Sequence, residues 1–369
     1  SNTYIEFKRT MATDTKYSSS YMEREFTSEE LSAEVLKTLK SYVTDENISS
    51  VVITVPAKFT VNQKTATMEA AKMAGFKRCE LLQEPIAAAM AYGLSTDTKN
   101  GIRMVFDFGG GTFDAALLKV EDGIMQVFDT EGDNYLGGKN LDYAIVDKII
   151  IPYLQKNYVI DGYLIDNQKK EVLRDAMKTY AEEVKNQLSF KDHEDIISNL
   201  GDLGEDEEGE EIELDITITQ ADAFDVMRPY FQKAVDICKN LLERNHLNSS
   251  HLDKLILVGG PTHSPLIRQM LKEQITPNVD TSIDPMTAVA TGAALYASTM
   301  EAEVNDEDFT IETVKLEVGY EATSVETTEW VSVKLSADAK QNNVFVELIR
   351  SDKAWSSGKT DIDKSGNLI

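Results

Sequence analysis

Asp107-Phe108-Gly109-Gly110-Gly111-Thr112-Phe113-Asp114 is the stretch on which the reading of this chain turns. The mostly apolar run Ile102 to Phe106 before it predicts a buried strand. That strand delivers Asp107 to its end, where a carboxylate can orient a water or a hydrated cation. Three glycines then let backbone N–H groups approach phosphate oxygens with no Cβ in the way. Thr112 adds a hydroxyl, and strand alternation puts Asp114 on the same face. The same residues also fit a plain glycine turn in a hairpin, because Ala115 to Val120 resumes a strand pattern.

A second glycine site lies further along. Leu255 to Val258 is another short apolar run, followed by Gly259-Gly260-Pro261-Thr262 and the helical pattern Leu266, Ile267, Met270, Leu271. A strand, a Gly-Gly turn and a helix start can present backbone donors to an anion or a ribose. An ordinary strand-to-helix loop accounts for it equally well.

Around these two sites the pattern alternates. Ser28 to Lys40 predicts an amphipathic helix with Leu31, Val35, Leu36 and Leu39 on one face, and Thr27-Ser28-Glu29-Glu30 reads as its cap and acidic first turn. Val51 to Val55 is a strand that stops at Pro56, and Val61 to Gly75 is the next helix. Arg103 to Val127 predicts a strand meander turning at Glu121-Asp122-Gly123. Leu141 to Leu154, Lys169 to Leu188 and Asp222 to Glu243 are long helical stretches. The result is an α/β chain with a mixed sheet covered by helices on both faces. After Met300 the texture changes: the acidic bridge Glu301 to Asp308 leads into Val314 to Gly319, Trp330 to Leu335 and Asn343 to Ile349, which predict a separate, small all-β segment.

With 369 residues, two or three domains are expected. Thirty-seven basic against 63 acidic residues, a net charge of −26, argues against nucleic-acid or anionic-membrane binding as the main activity. Nine of the acids fall between Asp202 and Asp215 with no base among them, the pattern of a solvated loop or hairpin tip, or of a partner-docking loop. Cys79 and Cys238 suggest no disulfide framework and fit a reducing compartment, and His193, His246, His251 and His263 form no metal-ligand spacing. Metal is therefore expected only together with a nucleotide. No apolar window reaches 18 residues and no signal-peptide pattern is present.

Four blocks, in order, carry a family resemblance: Thr54-Val55-Pro56-Ala57-Lys58-Phe59, Glu84-Pro85-Ile86-Ala87-Ala88-Ala89-Met90-Ala91-Tyr92-Gly93, Asp107 to Asp114, and Val258-Gly259-Gly260. A fifth, Tyr135-Leu136-Gly137-Gly138-Lys139-Asn140-Leu141-Asp142, lies between the last two. Together they resemble the nucleotide-binding domain of the seventy-kilodalton heat-shock chaperones of the DnaK type, within the actin-like ATPase superfamily. The resemblance implies an α/β, actin-like (ribonuclease H-like) two-lobe ATPase fold. Lobe I would comprise residues 1–97 and 281–302, and lobe II residues 98–280 with a helical and acidic-hairpin subdomain at about 137–222. Residues 308–369 would open the β-domain that binds substrate. ATP or ADP with Mg2+ would be the ligand, and unfolded polypeptide the client. A J-domain cochaperone and a nucleotide-exchange factor would be partners, in the cytoplasm.

Residue by residue, the resemblance gives Asp107 the attacking water or the magnesium shell, reached through water, and gives Thr112 the γ-phosphate. Gly109, Gly110 and Gly111 would donate from the backbone to phosphates. Lys8 would set a positive charge against the transferring phosphoryl group, although a plain surface lysine fits the same short match. Glu84 would contact the magnesium water shell, or serve as a helix-start acid. Glu182, Lys185 and Ser189 at i, i+3 and i+7 would meet ribose and base, or form a solvated face. Gly259, Gly260 and His263 would complete the adenosine side.

The departures from the family are Asn186 and His263 in place of stacking arginines, Pro261 in place of a serine, and Met286 in place of an acid. Loss of two stacked guanidinium groups, each on the order of 1 kcal/mol, implies nucleotide binding weakened roughly tenfold. The segment carrying the family's first phosphate loop is expected before Thr3, so the fold reads as N-terminally incomplete. The acidic bridge has no leucine-rich linker. Two other functions fit: a non-catalytic or weakly nucleotide-binding scaffold relative, and a sugar kinase of the same superfamily.

Overall fold

A computed structural model of the chain describes residues 3–4, 7–93, 100–121, 124–198 and 204–300, and after them 316–319, 331–335, 345–349, 356–361 and 367–368. Its contacts divide it into two units, Ser1–Lys99 with Asp122–Phe128 and Val289–Ile369, and Asn100–Glu121 with Asp129–Ala288.

In the first unit, β1 (Tyr17–Ser19) and β2 (Arg24–Phe26) form a short antiparallel pair that leads into α1 (Ser28–Ser41). The cap read from the sequence is present. Thr27 Oγ1 accepts from the Glu30 N–H at 3.2 Å, and the Glu30 carboxylate accepts from the Thr27 N–H at 2.8 Å. Leu31 and Ala33 are buried, but Val35 and Leu39, expected on the same face, are exposed. The buried stripe of α1 is therefore narrower than its spacing suggested.

Next come β3 (Ser50–Val55), α2 (Val61–Met73) and β4 (Arg78–Gln83), with β3 and β4 parallel as a helical crossover requires. Pro56 ends β3, and Thr60 with Gln63 caps α2 in the same reciprocal way. α3 (Glu84–Ala91) follows β4 without a break. Its Pro85 sits in the first turn, where no N–H is needed, and Ala87, Ala88 and Ala89 are fully buried.

The second unit is built on a mixed sheet. The hairpin β5 (Gly101–Phe108) and β6 (Phe113–Glu121) is flanked by β7 (Ile124–Asp133) on one side. On the other side lie β10 (Leu252–Val258), parallel to β5, and β11 (Val279–Asp280), parallel to β10. Between β7 and β10 the chain forms α4 (Gly138–Ile145), a π-helical stretch Val146–Ile150, α5 (Ile151–Asn157), α6 (Asp161–Ile165) and α7 (Asn167–Gln187). The hairpin β8 (His193–Ile197) and β9 (Asp215–Thr219) and the long α8 (Gln220–Arg244) follow. The single helix expected over Leu141 to Leu154 is thus three consecutive helical pieces. After β10 comes α9 (Pro265–Gln274), while α10 (Ala288–Ser298) belongs from Val289 on to the first unit.

Aromatic rings centre the core of this unit. Phe106 and Phe113 lie 4.8 Å apart, and Phe108 meets Phe231 of α8 edge-on at 5.3 Å.

Part of the acidic run is not simply solvated. Asp206 is buried and accepts the N–H groups of Val159, Glu208 and Glu210, each at 2.9 Å. The Val159 N–H foremost holds its carboxyl below the usual range. Asp202 and Leu203 of this run, the expected turn at Asp122-Gly123 and the acidic bridge Glu301 to Asp308 lie outside the described residues.

Ion pairs join α8 to β7. Arg244 grips Asp129 with two bonds of 2.9 and 3.0 Å and also meets Glu131, while Lys233 Nζ lies 2.5 Å from Asp133. Lys233, aided by the Tyr135 N–H, holds the Asp133 carboxyl below its ordinary value of 3.8. A depressed carboxyl contributes stability above its unfolded pKa and loses it as pH falls through the folded one. Asp133→Asn is therefore expected to lower stability by about 0.5 kcal/mol at pH 7. Urea titrations in increasingly acidic buffer below pH 4 should bring the two proteins together.

Toward the C-terminus, β12 (Leu316–Gly319), β13 (Ser332–Leu335) and β16 (Asn367–Leu368) form one antiparallel sheet, and β14 (Phe345–Val346) pairs with β15 (Thr360–Asp361). Among the described residues these strands pair only with one another. No helix among the described residues is long and apolar enough to cross a membrane.

Candidate functional site

Asp107 at the end of β5 is the register partner of Val258 at the end of β10, so both glycine turns leave the same edge of the sheet side by side. Across the hairpin, Asp107 faces Asp114, and the Gly109 N–H closes the turn on the Thr112 carbonyl at 2.9 Å. The hairpin reading and the backbone-cradle reading of this segment therefore describe one object.

The turn is clamped from outside. The carbonyls of Gly109 and Gly110 accept from the N–H groups of Gly138 and Lys139, at 2.9 and 2.8 Å, at the start of α4. Gly137, just before that helix, leaves no room for a side chain: a Cβ there would lie 2.6 Å from the Gly111 backbone. Gly110, with Gly138 and Lys139 at the start of α4, also lines a cavity.

The neighbouring turn is equally constrained. Gly259 has φ +91°, and a Cβ on it would meet the Phe108 carbonyl oxygen at 2.1 Å. Its N–H donates to the Pro285 carbonyl at 3.0 Å, and Gly260–His263 follow as a 3-10 turn. His263 is fixed by its edge nitrogens: Nε2 lies 3.1 Å from Asp284 Oδ1 and Nδ1 lies 3.5 Å from the Arg268 guanidinium. A guanidinium can only donate, so Nδ1 accepts and Nε2 carries the proton toward Asp284.

A cavity of about 500 Å³ opens beside these turns, a size suited to a nucleotide-sized ligand. Of the residues singled out in the sequence, Gly110, Glu182, Lys185, Ser189, Gly260 and His263 line it, and so do the departures Asn186, Pro261 and Met286. Asp107, Gly109, Gly111, Thr112 and Gly259 belong to the turns at its edge. Lys8 and Glu84 lie in the other unit and pair with each other at 2.5 Å, with Lys8 5.9 Å above the Phe59 ring.

Helix α7 presents Glu182 and Lys185, whereas Ser189, expected on the same helix face, lies in the turn after the helix ends; all three line the cavity, and their polar groups have partners. Lys185 Nζ donates to Asp142 Oδ1 at 2.6 Å in a pair that is 9% and 3% exposed. Burial pushes the Asp142 carboxyl up, against the pull of Lys185. Glu182 lies 3.7 Å from Lys178, and the Ser189 hydroxyl donates to the Lys185 carbonyl at 3.2 Å.

Sequence reading passed over Lys139, Asp142 and Phe190, all of which line the cavity. The first two stand inside the quoted Tyr135 to Asp142 block, which was the available signal. Phe190 carried none.

The lining suits a phosphate-bearing ligand, with Gly110, Gly138 and Gly260 and the cations of Lys139, Lys178 and Lys185 along the wall. No group of three His, Cys, Asp or Glu residues able to hold a metal occurs among the described residues.

Comparison with known proteins shows what the chain is similar to. A family model described as Hsp70 protein matches residues 2–349. The chaperone protein DnaK of Nitrosopumilus maritimus (strain SCM1) is 30% identical over 323 residues, which are 87% of this chain and 49% of that protein. The chain thus spans about half the length of this relative.

Proposed function

The chain belongs to the Hsp70 family, and from that premise we propose that it is the nucleotide-binding part of a DnaK-type chaperone that binds ATP or ADP with Mg2+ in the cavity beside Gly110. One observation carries this reading. Two glycine turns leave adjacent strand ends and border a nucleotide-sized cavity, with Lys139 and Lys185 on its wall. Ligands of open α/β sheets bind in this position, outside the carboxyl ends of the strands.

In this reading Gly109, Gly110 and Gly111 hold phosphates and Thr112 the terminal one. Asp107 orients the attacking water and, through water, the magnesium shell. The bound magnesium nucleotide supplies the phosphoryl group and its charge neutralisation. Lys8 and Glu84 keep the catalytic and water-shell roles that the family resemblance implies, and the two units correspond to its two lobes. Glu182, Ser189, Gly259, Gly260 and His263 flank the nucleoside, while Lys185 acts mainly by holding Asp142.

ATP hydrolysis would regulate binding of unfolded polypeptide in the whole protein, with a J-domain cochaperone and an exchange factor as partners. The free thiols Cys79 and Cys238 agree with a reducing, cytoplasmic setting. A second reading, a relative that binds nucleotide with little turnover, is favoured by Pro261, which has no N–H to offer at the cavity wall.

Calorimetric titration of the chain with magnesium–ATP tests the proposal, with a micromolar dissociation constant expected. Binding no tighter than millimolar would reject it. Single-turnover phosphate release then separates the two readings, since only the first requires hydrolysis of bound ATP.

A further inference from the structure

A second cavity, of about 570 Å³, is walled by Ser189 and Phe190 from the turn after α7, by His263 and by one face of α9. Its volume is that of a small-molecule site. Ser189, Phe190 and His263 also line the nucleotide cavity, but no glycine of either turn lines the second one. On the α9 face, Arg268 and Lys272 stand one helical turn apart, at i and i+4.

The charge here runs against that of the chain. The protein carries a net −26, yet the charged side chains lining this cavity are Arg268, Lys272 and a single acid, Glu273. Glu273 is already engaged, its Oε1 accepting from Gln269 Nε2 at 2.7 Å. Arg268 is fixed along one edge: Nε donates to the Thr262 carbonyl at 2.8 Å, and Nη2 lies 3.5 Å from His263 Nδ1. Its other terminal nitrogen, and the Lys272 ammonium, have no hydrogen-bond or ion-pair partner among the described residues. A fixed guanidinium and an unpaired ammonium one turn away suit a doubly charged oxyanion, the first as a planar fork and the second as a point charge. Phe190, 74% exposed, adds an aromatic ring to the same wall.

We propose that the second cavity binds a small aromatic phosphate monoester, with its dianionic head between Arg268 and Lys272 and its ring against Phe190. The head takes its charge-assisted hydrogen bonds from the two cations of α9, and the ring covers apolar surface that Phe190 otherwise gives to water. This site is separate from the glycine turns, so its ligand and a nucleotide bind side by side rather than in competition.

The test follows the phosphorus NMR signal of phenyl phosphate titrated with the whole chain at about pH 8, where the ester is a dianion. Saturable binding is expected, with a dissociation constant on the order of 1 mM or tighter for a ligand of this size. Lys272→Gln should weaken it about tenfold, the loss of one charge-assisted hydrogen bond. Lys178→Gln makes the same charge change on the wall of the nucleotide cavity and should leave it unchanged. Phe190→Ala should lower phenyl phosphate to the affinity of inorganic phosphate, and saturating magnesium–ATP should not displace it. None of the three side chains is buried, so the variants are expected to fold, which circular dichroism checks. Absence of saturable binding, wild-type affinity in Lys272→Gln or in Phe190→Ala, or equal losses in the two lysine variants would each overturn the site. Displacement by ATP would overturn it too, by placing the ester in the nucleotide cavity. The site does not rest on the nucleotide reading: if ATP fails to bind, the comparison of the two lysine variants still decides it.

Discussion

Lys185→Met is expected to destabilise the protein by about 3–5 kcal/mol at neutral pH, the cost of leaving a buried charge without its partner. Asp142 is 3% exposed and its carboxylate is bonded at 2.6 Å to the Lys185 ammonium. Burial already raises the carboxyl above its ordinary value of 3.8, and Lys185 is the main influence opposing that rise. Methionine fills much of the lysine stem's volume but removes the opposition, so the folded-state pKa of Asp142 climbs further.

The sign of the pH dependence follows. A carboxyl whose pKa is raised on folding contributes its stability below the unfolded value and loses it as pH rises through the folded value. The deficit of Lys185→Met should therefore be largest near pH 7 and shrink as the solution is acidified toward pH 4. Urea unfolding across that range measures it. Replacing both residues, Lys185→Met with Asp142→Leu, should recover most of the stability, because a buried pair and a well-packed apolar pair are nearly equivalent. Nucleotide binding in the double variant then reports any direct role of Lys185, freed from its effect on the fold.

How far the sequence foretold these features depended on whether their causes were local. The cap at Thr27 and Glu30 was legible because both of its bonds span three residues. The glycine turns were legible because each sits between a strand-like run and a change of pattern. Their adjacency was not, since the register of Val258 beside Asp107 joins segments about 150 residues apart. Lys185 was recognised as part of a polar face on α7, but its burial depends on α4 supplying Asp142. The same limit hid Phe190, whose ring neighbour His263 comes from a segment more than 70 residues further along the chain. Asp206, read as one acid in a repelling run, turned inward because three backbone N–H groups converge on it. Periodicity describes which face a residue occupies, and only the fold says what stands opposite.

Two alanine substitutions should separate glycine required by the fold from glycine required by the ligand. Gly259 has φ +91°, a conformation strained for any L residue, and an added Cβ would sit 2.1 Å from the Phe108 carbonyl oxygen. Backbone cannot yield as a flexible side chain does, so β10 would have to separate from the end of β5. Gly259→Ala is expected to cost about 3 kcal/mol or more, the backbone strain being on the order of 1–3 kcal/mol before the collision is counted. Because Val258 pairs with Asp107, the damage falls on the strand end that carries the proposed catalytic carboxylate. Gly110 is the opposite case. A Cβ there would meet nothing within 4 Å, and its carbonyl is already fixed by the Lys139 N–H. Gly110→Ala should leave stability unchanged or raise it by about 0.5 kcal/mol, through the smaller entropy of the unfolded chain. Its Cβ would occupy space that a phosphate needs, so magnesium–ATP should bind at least tenfold more weakly. Urea titration and calorimetry on the two variants give the comparison directly. A Gly110→Ala protein that folds normally and binds ATP as the wild type does would remove the phosphate from that turn, whereas stable folding without binding means the glycine is there for the ligand.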